Sequence, residues 1–83
     1  MGSVQVKLFA VLRDRFGAES VEAELPPGGT TAGRLLAELS RRYPDQARHL
    51  SVCRVAVNRR FAVEDDPVGA TDEVALIPPV SGG

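Results

Sequence analysis

The sequence predicts an α+β domain in which one amphipathic helix packs across one face of a small mixed sheet. Three observations carry that reading. Stretches of alternating apolar and polar residues occur on both sides of a single apolar stripe at helical spacing, and Pro/Gly clusters punctuate the joins. Eighty-three residues allow one domain, 1–83. A chain of this size buries about 60% of the surface its unfolded form exposes, so its core is thin.

Val4, Val6 and Leu8 share one parity against Gln5, Lys7 and Phe9, which predicts a half-buried first strand. A short helical turn follows, pairing Leu12 with Phe16 and stopping at Gly17. Val21, Ala23 and Leu25 alternate with Glu22 and Glu24, a second strand that Pro26-Pro27-Gly28-Gly29 ends. The main helix runs from about Ala32 to Tyr43, with Thr31 or Thr30 as N-cap. Ala32, Leu35, Leu36, Leu39 and Tyr43 form its apolar stripe, and Arg34, Glu38, Arg41 and Arg42 its outer face. Arg34 stands where a capping box would place Glu or Gln, Gly33 weakens the first turn, and Pro44 stops the helix. Cys53, Val55 and Val57 share a parity and predict a third strand. Asn58-Arg59-Arg60 turns into a brief strand around Phe61 to Val63, Glu64 to Pro67 is a loop, and Val74 to Ile77 is the last strand. Pro78-Pro79 forbids further pairing, so residues 78–83 leave as an extended tail. The order strand, strand, helix, strand, short strand, strand fits a β-grasp, ubiquitin-like arrangement.

Composition narrows the function classes. Ten basic and eleven acidic residues give a net charge of −1 with no basic stripe, which argues against nucleic acid. Nine of the ten basic residues are arginine, Lys7 being the exception. A lone Cys53 excludes an internal disulfide scaffold. No stretch reads as a signal peptide or a bilayer span, so the expected location is cytoplasmic with no membrane partner.

Internal catalysis is hard to assemble from this inventory. One histidine, His49, and one cysteine, Cys53, do not make a converging nucleophile–base pair, and a zinc site needs about four ligands. No metal and no bound cofactor are expected. Gly28-Gly29 lacks the lysine and the strand–helix context of a phosphate-binding loop. Cys53 reads as core packing and His49 as a surface residue.

The C-terminal Gly82-Gly83 pair is the anomaly, since glycine at ordinary usage would end about one chain in two hundred this way. A slim terminus after a stiff Pro-Pro exit can enter a channel too narrow for a Cβ. The reactive group it offers is the carboxylate of Gly83. Adenylation would give that carboxylate a good leaving group, and a sulfur donor or a cysteine thiol could then displace it. The tail therefore points to a carrier or a modifier.

The ending Asp72-Glu73-Val74-Ala75-Leu76-Ile77-Pro78-Pro79-Val80-Ser81-Gly82-Gly83 closely resembles the small, ubiquitin-like subunit of molybdopterin synthase. Val6-Lys7-Leu8-Phe9-Ala10, Arg13-Asp14, Gly17, Thr31 with Leu35, and Val55-Ala56-Val57-Asn58 extend the resemblance over nearly the whole chain. It implies a β-grasp sulfur carrier that is not an enzyme on its own. Gly83 would be adenylated by an E1-like enzyme that uses ATP, then thiocarboxylated through a sulfur donor system. The tail (Pro78, Pro79, Val80, Ser81, with Gly82 as steric companion) would enter the large synthase subunit. Sulfur would there pass to cyclic pyranopterin monophosphate to build the molybdopterin dithiolene.

The resemblance further implies docking through an apolar patch on the sheet face opposite the helix. Parity puts Phe9 and Ile77 on that face, Phe61 matches a third family position, and Arg13 matches a basic one. The alternatives are a sulfur carrier for thiamin, transfer-RNA thiolation or cysteine synthesis, or a ubiquitin-like protein modifier.

Overall fold

The computed structural model of the chain describes residues 2–79. Alternation produces the two outer elements of the main hairpin, β1 (Gly2–Leu8) and β2 (Ser20–Leu25), which pair antiparallel from Gly2 opposite Leu25 to Lys7 opposite Ser20. Between them lies a six-residue helix, α1 (Val11–Phe16), whose end is closed by Gly17 in the left-handed conformation. A two-residue strand, β3 (Thr30–Thr31), leads into the main helix α2 (Ala32–Arg42). A 3-10 turn over Pro44–Gln46 and a short helix, α3 (Ala47–Leu50), carry the chain back to β4 (Arg54–Val57). Then come β5 (Arg60–Phe61), β6 (Pro67–Val68) and β7 (Val74–Ile77).

The main sheet has the order β2-β1-β7-β4-β5, and β1 and β7 run parallel at its centre while the other neighbours are antiparallel. With α2 laid over one face, this is the β-grasp, ubiquitin-like fold. Two-residue periodicity does the sorting. Val4, Val6, Leu8, Ala23, Leu25, Val55, Val74 and Leu76 point inward against Ala32, Leu35 and Leu39 of α2, with Leu12 and Leu50 closing the ends. The buried core contains no aromatic ring among the described residues. Phe16 and Tyr43 meet edge to face at 5.0 Å on its flank.

Thr31, not Thr30, caps α2, its Oγ1 accepting a hydrogen bond from the Arg34 N–H at 3.2 Å. The helix stops at Arg42 and Tyr43 serves as its C-cap. Gly33 has a reason beyond local propensity: its N–H donates to the Glu64 carbonyl at 3.0 Å, and a Cβ there would stand 3.1 Å from the Glu64 Cβ. The segment 64–67, expected to be loop throughout, closes with a strand. Thr30 pairs with Val68 and Thr31 with Pro67 in a second, two-stranded ladder. Pro67 is tolerated because a ladder this short asks little of its missing N–H. Residues 44–50, unassigned by periodicity, form the 3-10 turn and α3 because Leu50 anchors them in the core.

Candidate functional site

The sheet face turned away from α2 divides into two halves. On the β1–β2 half it is polar, where the Ser3 hydroxyl and the Gln5 amide donate to Glu22 and the Ser20 hydroxyl donates to Gln5. On the β7–β4–β5 half it is apolar. Phe9, Ala56, Phe61, Ala75 and Ile77 line a shallow depression of about 320 Å³, rimmed by Lys7, Arg59 and Glu73. Phe9 is 46% exposed and Phe61 55%, high values for aromatic rings in a chain whose core lacks them.

Register assembles this half-face from distant pieces. Ala56 lies opposite Phe61 across β4–β5 and opposite Ala75 across β4–β7, while Lys7 lies opposite Ala75 across the parallel pair. Phe9 sits just past β1, where a tight turn with a Leu12 N–H to Phe9 carbonyl bond of 3.1 Å starts α1. Ala10 occupies that turn at φ 51 and ψ −125, a conformation that glycine takes more easily. Asn58 and Arg59, both at positive φ, make the tight β4–β5 turn, and the Asn58 side chain fastens it to the segment before β7. Its Oδ1 accepts from the Glu73 N–H at 2.9 Å, and its Nδ2 donates to Asp72 at 3.0 Å.

The rim is ionic. Glu73 accepts from the Lys7 ammonium at 3.1 Å and pairs with Arg59 at 3.4 Å. The Lys7 hydrogen bond, reinforced by the charges of Lys7 and Arg59, holds the Glu73 carboxyl below its ordinary range. The guanidinium of Arg54 lies 4.0 Å from the centre of the Phe61 ring, a cation–π contact on the same face. Arg13, on α1, lines a neighbouring hollow with Lys7, Phe9 and Glu19.

Phe9, Phe61 and Ile77 thus share one depression, with Ile77 the most covered of the three. Arg13 stands beside Phe9 but outside that depression. Pro78 is half-buried and Pro79 exposed, so the chain leaves the sheet next to Ile77. Val80, Ser81, Gly82 and Gly83 lie outside the described residues. Cys53 is buried; its thiol donates to the His49 carbonyl at 3.1 Å, and burial pushes its pKa up, both of which suit packing. His49 is half-buried. Periodicity did not single out Arg54, Arg59 or Glu73. The parity that Lys7 shares with Phe9 was the available signal.

The ThiS family matches residues 6–83 of this sequence. The chain belongs to that family. Curated relatives in it include the molybdopterin synthase sulfur carrier subunit of Dictyostelium discoideum, 35% identical over 81 residues, covering 95% of this chain and 94% of that protein. The subunit of the same name from Mycobacterium tuberculosis is 36% identical over 86 residues and covers 100% of both chains. Among solved structures, SAMP1 of Haloferax volcanii superposes with a TM-score of 0.80 at 33% identity, covering 99% of this chain and 100% of that one. No helix among the described residues is long and apolar enough to cross a membrane.

Proposed function

We propose that this protein is the sulfur carrier subunit of a molybdopterin-synthase-type pair, working through the carboxylate of Gly83. The observation that carries the reading is the similarity, over essentially full length, to curated sulfur carrier subunits of molybdopterin synthase. The apolar half-face beside the exit of the chain supports it, because a carrier must dock before its terminus can be processed. An E1-like partner joins the Gly83 carboxylate to the AMP moiety of ATP and releases pyrophosphate. A sulfur donor then displaces AMP and leaves a thiocarboxylate. Docked on the large subunit, the thiocarboxylate sulfur attacks cyclic pyranopterin monophosphate and displaces an oxygen substituent. Water then cleaves the acyl–sulfur bond, leaving sulfur on the pterin and returning Gly83 to a carboxylate. The carrier contributes no catalytic side chain; it presents the nucleophile and the docking face.

Intact-mass measurement after incubation with an adenylating enzyme, ATP and a sulfur donor tests the first half. The expected product has one oxygen replaced by sulfur at the C-terminal residue; an unchanged mass would overturn the reading. For the second half, deletion of Gly83 is expected to abolish pterin sulfuration while leaving the melting temperature unchanged. Similarity to a small archaeal modifier protein, which is what SAMP1 denotes, favours a second reading as a protein modifier. Lysine-linked conjugates of this chain in cell extract would support it.

A further inference from the structure

We propose that the docking half-face recognises a partner surface that is apolar at its centre and carries carboxylates around its rim. This rests on the carrier reading above and specifies the chemistry of the surface that the carrier meets. The chain as a whole is slightly acidic, with a net charge of −1. Its charges are nevertheless segregated. Around the exposed rings stand four cations, Lys7, Arg13, Arg54 and Arg59, against two carboxylates, Glu19 and Glu73. The excess acid lies elsewhere, on the polar half with Glu22 and Glu24 and on the exposed segment at Glu64 and Asp65.

Glu73 is already shared between Lys7 and Arg59, so much of its charge is offset within the rim itself. Arg59 is 88% exposed and retains most of its donors for an outside acceptor. The Arg54 guanidinium sits over the Phe61 ring, which places a delocalised charge on the surface of the apolar patch itself. A purely apolar partner would have to strip water from these cations without return, and a basic one would meet net repulsion. Carboxylates at the partner's rim, around an apolar anchor that fills the space between Phe9, Phe61 and Ile77, match both halves of the surface.

The test measures association of the full chain with the large synthase-type subunit of the same organism, at about 0.05 M and about 0.5 M salt, where the screening length falls severalfold. Wild-type association is expected to slow by about tenfold at the higher salt, with dissociation little changed. Arg59→Glu and Lys7→Glu are each expected to slow association by about tenfold at low salt and to flatten the salt dependence. Unchanged circular dichroism would show that both variants fold. A complex that forms at the same rate at both salts, or one that Arg59→Glu accelerates, would overturn the inference and leave the carrier reading standing. Absence of any complex with the wild-type chain would overturn both.

Discussion

Asn58 takes a left-handed conformation at φ 53 and spends both ends of its side chain on residues 14 and 15 positions away. Replacement by glycine keeps the backbone free and removes those bonds, so Asn58→Gly is expected to cost about 1 kcal/mol. Asn58→Val adds the penalty of a β-branched residue at positive φ and should cost more; urea midpoints of the two variants check the order. The same bond sets an acid dependence. Asp72 is held below its ordinary range by the Asn58 side chain and then by the Gly69 N–H, and Glu73 by Lys7 and then Arg59. A folded-state value below the unfolded one stabilises the fold above the unfolded value, about pH 4, and is lost as pH falls through the folded value. Urea midpoints should therefore be flat from about pH 7 to pH 5 with respect to these groups and drop below about pH 4, less steeply in Asn58→Gly. At Ala10 the sign is opposite. Its backbone strain, of about 1–3 kcal/mol, exceeds the entropic cost of glycine, so Ala10→Gly is expected to raise the melting temperature.

Helix α2 shows how an element answers to two demands. Its stripe of Ala32, Leu35 and Leu39, its Thr31 cap and its end before Pro44 follow local rules and were legible as spacing. Gly33 was legible only as a weakness. Glu64 passes so close that a Cβ at position 33 would crowd it, standing 3.1 Å from the Glu64 Cβ. Helix propensity alone would make Gly33→Ala stabilising by about 1 kcal/mol. The approach of 3.1 Å to the Glu64 Cβ and 3.3 Å to its carbonyl reverses the sign, and a net loss of about 1 kcal/mol is expected on thermal unfolding. The two-stranded ladder β3–β6 escaped the sequence for a related reason. Two residues on each side have no period to detect, and Pro67 argued against a strand.

At the scale of the whole molecule, aliphatic side chains build the core and the aromatic rings are left for its flank and its surface. A domain of 83 residues has about 4–12 kcal/mol of stability in all. Leu50→Ala, at a fully buried position, is expected to remove about 2–5 kcal/mol of it, and its melting temperature should fall steeply. Phe9→Asp or Ile77→Asp, on the opposite face, should weaken partner binding far more than it lowers the melting temperature. Calorimetry beside a binding titration separates the two effects, and strong unfolding of Phe9→Asp would contradict its outward placement. The contrast follows from which face of one sheet each residue occupies.

By itself the sequence determined the four longer strands of the main sheet, the helix, and the outward position of Phe9 and Ile77, while the short strand expected around Phe61 to Val63 forms instead over Arg60–Phe61. The longer strands, the helix and the outward positions follow from periods of two or 3.6 residues and from caps within one turn, which are local properties of the chain. It also carried the family resemblance of the Pro78-Pro79-Val80-Ser81-Gly82-Gly83 ending. Tertiary structure alone decided the parallel pairing of β1 with β7, the ladder from Thr30 to Val68, the contact of Gly33 with Glu64, and the ionic rim. Each joins residues that spacing cannot relate; Lys7 and Glu73 are 66 positions apart. Their meeting depends on the register of two central strands, and that register is set by burying both apolar faces under one helix.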